Sequence, residues 1–137
     1  MRQGIRTGQL LVNIVTTSQS DFDEKGFAAL IERLPLDASV CGILHTLNDD
    51  RSDAVNAQEV RVLAGEPFYM EQVLGLSFKV GAFSFFQTNV PAAERLYSEA
   101  LELIPGIEGK TVYDLYCGTG TISQAMALKA KKVVGVE

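Results

Sequence analysis

Gly118 and Gly120, one threonine apart in the stretch VYDLYCGTGTIS, are flanked by two acids at informative distances. Asp114 lies four residues before the first glycine, and Glu137 lies seventeen beyond the second, at the end of KKVVGVE. A strand that turns sharply into a helix needs residues tolerant of positive φ, and it needs side chains missing where a ligand meets the backbone. The helix that follows starts with free N–H groups, which favour polar or negative ligand groups. An acid at the tip of the next strand is placed to accept hydrogen bonds from ribose hydroxyls. Gly118, Gly120 and Glu137 together imply recognition of a nucleoside-bearing cofactor.

Two cofactor classes compete for that turn. A dinucleotide fingerprint is G-x-G-x-x-G, and here its third glycine falls on Ser123, a poorer match. The alternative requires an acid at the end of the first strand, before the glycines, and Asp114 meets it. S-adenosylmethionine (SAM) has no pyrophosphate to cradle but carries an ammonium group that needs negative surroundings. These features weigh toward SAM and leave NAD as the competing reading.

The elements that must hold this turn are legible as strand, glycine turn, helix, strand: TVYDLY, CGTG, TISQAMALKA and KKVVGVE, with TVYDLY expected to be buried. That is the βαβ unit of a doubly wound sheet. Two parallel strands fall short of the five to seven or so that such sheets carry, so the domain is expected to be truncated. Ahead of it, VPAAERLYSEALELI predicts a helix with Pro91 in the first turn and Ala93, Leu96, Tyr97, Ala100, Leu101 and Ile104 on one stripe. Residues 1–82 read as an α+β unit of mostly antiparallel strands and one covering helix. TGQLLVNIVTT alternates as a half-buried strand, SDFDEKGFAALIERL is a helix with Ser20 and Asp21 as cap candidates, and SVCGILHTL, EVRVLAG, YMEQVL and LSFKVG are further strands.

At FFQTN (85–89), DLYCGTGTIS and VVGVE, the chain resembles the SAM-dependent RNA uracil-5-methyltransferases that make 5-methyluridine in tRNA and 23S rRNA. The F-x-Q-x-N element with D-L-[YF]-C-G-x-G is specific to that family. The resemblance is firm from about Leu76 to Glu137 and consistent over residues 1–75. It implies an α/β chain: an α+β central domain (1–82), then the first βαβ portion of a Rossmann-like class I SAM-dependent methyltransferase domain (83–137). It further implies that Gln87, Tyr116 and Glu137 contact SAM, Glu137 at the ribose and the other two near the target base. Thr121 stands where some members have an asparagine that touches the cofactor; a threonine offers no amide pair.

In that family a cysteine attacks carbon 6 of a flipped-out uracil, carbon 5 takes the methyl group, and a glutamate base removes the carbon 5 proton. Both residues lie C-terminal to the acid matched by Glu137, so no catalytic residue is expected within this chain, and the chain alone is expected to be inactive. The family's N-terminal RNA-binding barrel and the iron–sulfur cysteines of some members are also without counterparts.

Other chemistry-bearing residues have plainer readings. Cys117 reads as a small packed side chain, since nothing near it in sequence would lower its pKa, and Cys41 reads as core. His45 lacks a partner at ligand spacing and reads as a strand-surface or satisfied histidine. Asp49, Asp50 and Asp53 lack the glycine and terminal glutamate of a calcium loop and read as a solvated turn. Of Phe83, Phe85 and Phe86, one is expected exposed and two buried. Asn89 fits a helix cap, whereas Gln87 does not, which favours cofactor contact for Gln87.

Composition narrows the remaining classes. Hydrophobic residues at 47% and charged residues at 21% describe a globular chain of 137 residues with material for a core. Two cysteines are too few for a disulfide framework or a four-thiolate metal site, and no apolar run or leader points to a membrane or export, so a cytoplasmic setting is the default. The net charge of -5 argues against a self-sufficient nucleic-acid binder. RNA (rRNA or tRNA) is therefore expected as the substrate of a larger enzyme. The competing readings are a NAD-dependent oxidoreductase fragment and a non-catalytic module that binds RNA or a partner.

Overall fold

The computed structural model describes residues 1–51 and 57–137. The chain divides into two compact units, Met1–Glu71 with Lys79–Ala82, and Gln72–Phe78 with Phe83–Glu137.

The first unit is built on a sheet whose strands lie in the order β1 (Arg2–Gln3), β2 (Gln9–Thr16), β3 (Ser39–Leu47), β4 (Glu59–Gly65). The outer pairs are antiparallel, but β2 and β3 run parallel from Gln9 opposite Ser39 to Thr16 opposite Leu47. A parallel pair needs a crossover, which α1 (Glu24–Arg33) supplies. The expected alternation in β2 is corrected for the same reason. Leu10, Leu11 and Val12 are buried in succession, as are Ile43 and Leu44 in β3, because a central parallel pair is covered on both faces. A register shift between Leu10 and Leu11 adds to the break in period.

The helix starts later than its cap candidates suggest. Asp23, not Ser20 or Asp21, accepts the Gly26 N–H at 2.9 Å, because only a side chain next to the first turn reaches that orphan donor. It stops where Leu34, ahead of Pro35, is extended (ψ 138°). β5 (Phe68–Val73) and β6 (Leu76–Gly81) form a hairpin whose two-residue turn has positive φ at both Leu74 and Gly75, the primed geometry that matches strand twist. Within β5, the buried Glu71 accepts the backbone N–H groups of Ile5 and Arg6 at 2.5 and 3.0 Å.

In the second unit, Asn89 caps α2 (Val90–Glu102) by accepting the Ala92 N–H at 3.1 Å. Val90, Ala93, Tyr97 and Leu101 are its buried row. Leu96, assigned to the stripe from sequence, is 59% exposed: the i, i+4 row through Ala93, Tyr97 and Leu101 leaves it to one side. β7 (Thr111–Leu115), α3 (Thr121–Ala127) and β8 (Lys132–Val136) make a βαβ unit with parallel strands in register from Thr111 opposite Lys132 to Leu115 opposite Val136. β7 is not the buried strand expected. Val112 and Asp114 are half-buried, whereas Tyr113 and Leu115, pointing to the other face, are largely exposed. α3 ends earlier than the predicted 121–130, because the N–H groups of Lys129 and Ala130 both turn back to the Met126 carbonyl. Among the described residues, no helix is long and apolar enough to cross a membrane.

Candidate functional site

The turn between β7 and α3 holds three residues of positive φ within five: Tyr116 (63°), Gly118 (53°) and Gly120 (71°). At the two glycines this conformation is unstrained. At Tyr116 it costs about 1–2 kcal/mol, and the side chain is 92% exposed, so burial does not offset it. Backbone bonds hold the turn: the Cys117 N–H donates to the Val136 carbonyl at 3.1 Å, and the Gly120 N–H to the Cys117 carbonyl at 2.8 Å.

Both acids close onto this turn. Glu137, directly after β8, accepts the Gly118 N–H through Oε2 at 2.6 Å. Asp114 accepts the Ser123 hydroxyl, from the first turn of α3, at 2.5 Å. A β-carbon on Gly118 would meet nothing within 4 Å, and one on Gly120 only the Gln124 amide at 3.8 Å, so the backbone is bare where a ligand would approach. Thr121 is buried, and its hydroxyl shares a hydrogen with that of Thr119 at 3.0 Å.

Asp114, Tyr116, Gly118, Gly120, Thr121 and Glu137 are thus gathered in one place. The segment carrying Gln87 is attached to it one step removed: the Thr119 hydroxyl donates to the Phe85 carbonyl at 3.4 Å, and Gln87 lies exposed two residues on. Phe86 is buried against Phe78, with ring centroids 5.8 Å apart, but Phe83 and Phe85 are both exposed, so one phenylalanine of the three is buried rather than two. Cys117 packs behind the turn, its Sγ 3.0 Å from where a β-carbon on Gly135 would stand. Cys41 is half-buried, its thiol donating to the Leu10 and Phe68 carbonyls, and burial pushes its pKa up.

A second polar cluster, in the first unit, has no counterpart in the sequence reading. Of the two readings of His45, the satisfied histidine is the one observed: it is buried rather than on the strand surface, and both ring nitrogens are bonded, Nε2 to the Thr16 hydroxyl at 2.8 Å and Nδ1 to Glu24 at 2.6 Å. The same Glu24 oxygen accepts from Arg61 at 3.0 Å, and Arg61 also grips Glu59. The bond from His45, then that from Arg61, holds the Glu24 carboxyl below the usual carboxylate range; Glu59, then Glu24, raise Arg61. Glu24, His45 and Arg61 line a polar cleft of about 560 Å³ with Phe22 and Lys25. The partners come from β2, α1 and β4, so no spacing along the chain points to them. Asp49 is occupied by the N–H and hydroxyl of Ser18, which lower its pKa, and Asp53 lies outside the described residues. Among the described residues, no group of three His, Cys, Asp or Glu is placed to hold a metal ion.

No protein-family model matches the chain. Over its full length it is 47% identical to a Clostridium tetani protein named an uncharacterized RNA methyltransferase, and over 133 residues (96% of the chain) 36% identical to one so named from Bacteroides thetaiotaomicron. The chain spans about 30% of the length of these relatives. Among solved structures, it is similar to the Pyrococcus abyssi tRNA (uracil-54, C5)-methyltransferase in complex with S-adenosyl-L-homocysteine. There the TM-score is 0.75 and the identity 27%, covering 98% of this chain and 31% of that one.

Proposed function

We propose that this chain belongs to a cytoplasmic RNA methyltransferase that transfers a methyl group from SAM to carbon 5 of a uridine in tRNA or rRNA. In this reading, residues 1–82 are its central α+β domain and residues 83–137 the start of its SAM-binding domain. The observation that carries it is the likeness, across 98% of the chain, to a uracil-C5 methyltransferase crystallised with S-adenosyl-L-homocysteine.

The turn fits the cofactor. Its two acids are held by neutral donors, Asp114 by a hydroxyl and Glu137 by a backbone N–H, so both bring negative charge to the glycine turn. That charge suits a ligand carrying an ammonium and a sulfonium. It opposes a pyrophosphate, for which the Gly118 N–H is in any case already spent on Glu137. The dinucleotide reading is therefore the weaker one. When bound, SAM supplies the methyl group. Glu137 takes the ribose hydroxyls, Asp114 faces the ammonium, Gly118 and Gly120 let the backbone come close, and Thr121 opens α3 directly after the turn. Gln87 and the exposed Tyr116 stand toward the target base. In this reading the nucleophilic cysteine and the proton-removing base lie outside residues 1–137, and Cys117, whose sulfur lies close over Gly135, serves as a packed side chain.

Isothermal titration of the full-length gene product with SAM and with NAD tests the cofactor, and binding of NAD alone overturns it. Transfer from labelled SAM into RNA, followed by nucleoside analysis, tests the product: 5-methyluridine is expected, and a label on any other base refutes the uracil assignment. The 137-residue chain alone is expected to transfer no label.

A further inference from the structure

We propose that Ser123 is a positioning residue for the cofactor: with Gly135 beneath it, it fixes the Asp114 carboxylate toward the cationic amino group of the SAM methionine tail. The inference rests on the SAM reading above and adds a residue and a mechanism to it.

Asp114 stands one residue before the end of β7, directly opposite Gly135 of β8. Its Oδ2 receives the Ser123 hydroxyl at 2.5 Å, the short range of a charge-assisted O–H···O⁻ bond. A serine hydroxyl has one proton, so donating it to Oδ2 sets the plane of the carboxylate and directs the remaining oxygen to a ligand. The bond depends on a missing side chain. A β-carbon on Gly135 would stand 3.3 Å from the Ser123 hydroxyl oxygen and 3.0 Å from the Cys117 sulfur, tighter than side chains ordinarily pack. Gly135 has no positive φ to explain it, so the close approach of these two side chains is its evident purpose. The position that a dinucleotide fingerprint gives to glycine is thus used here for a hydroxyl that orients an acid.

The test compares two ligands on the full-length protein by isothermal titration: SAM, and 5′-methylthioadenosine, which keeps the adenosine and sulfur but lacks the amino-acid tail. Ser123→Ala is expected to weaken SAM about tenfold, the scale of one hydrogen bond to a charged group, with 5′-methylthioadenosine changed less than about twofold. Ser123→Thr, which keeps the hydroxyl, restores SAM affinity. Gly135→Ala reproduces the SAM-selective loss by displacing the hydroxyl. Equal loss for both ligands would make Ser123 a structural residue and overturn the inference, as would an unchanged SAM affinity in Ser123→Ala. If the wild-type protein binds no SAM, the cofactor reading falls and this inference with it; if the wild type binds and only the variants fail to discriminate, the inference alone falls.

Discussion

The two polar clusters of this chain handle carboxylates in opposite ways. In the first unit, Glu24 is met by His45 and Arg61, and Arg61 also grips Glu59, so both carboxylates already have the same cationic partner within the protein. In the second unit, Asp114 and Glu137 are met by a hydroxyl and a backbone N–H, which orient a carboxylate without cancelling its charge. An acid paired with a cationic side chain is committed to the scaffold, because the charge that would draw a cationic ligand is already answered. An acid held by neutral donors is oriented and still electrostatically open. By that criterion the His45 cluster, despite its cleft, is a structural tie between α1 and the sheet. The glycine turn is where a cationic ligand is expected.

His45→Ala should break the first side of this contrast hardest. It removes a buried ring together with its bonds to the Thr16 hydroxyl and the Glu24 carboxylate, so a loss of about 2–4 kcal/mol in unfolding free energy is expected by denaturant titration, with SAM affinity of the folded protein unchanged. Reduced SAM affinity at full folding would tie the cluster to the site and end the contrast. Next in size, Glu137→Ala should weaken SAM by about 1–3 kcal/mol while shifting the melting temperature little. Unchanged affinity would take Glu137 out of the ribose role.

Acid should separate the clusters more gently. Glu24 sits below its ordinary value of 4.5, so as pH falls the unfolded chain takes up the proton first. The contribution of Glu24 is complete above that value and is lost as pH drops toward the lowered folded-state pKa. Melting temperature between about pH 5 and 3 should fall less steeply in Glu24→Gln; parallel curves would show that the bond to His45 contributes no pH-dependent stability. The smallest effect belongs to Cys117→Ala. Methyl transfer by the full-length protein should persist within about twofold, since the thiol sits close over Gly135 as a packed side chain. Abolished transfer in a normally folded variant would make Cys117 a candidate nucleophile and overturn the packing role.

How legible each feature was depended on the range of the interaction behind it. The Asn89 cap and the first-turn Pro91 were readable because each acts within three residues along the chain. The Asp23 cap, equally local, was missed by two residues, since Ser20 and Asp21 match the same preference and only the realised helix start selects among them. Leu96 was misassigned because a helical stripe has width, and which edge is buried depends on what packs against it. Tyr113 and Leu115 were expected inside from apolar character alone, but burial requires a neighbour on that face as well as a suitable side chain.

At the turn itself, residue types and spacing alone determined the positive-φ glycines, the strand–helix–strand order and the positions of both acids, because glycine's freedom and chain periodicity are local properties. The three-dimensional fold decided what those acids touch. Glu137 returns to the Gly118 N–H, and Ser123 reaches Asp114 over a strand that lacks a β-carbon at Gly135. The parallel pairing of β2 with β3 and the enclosure of His45 by three separate elements were decided there too. Contacts between segments distant in sequence are set by packing of the whole unit, and no short window of residues carries that information.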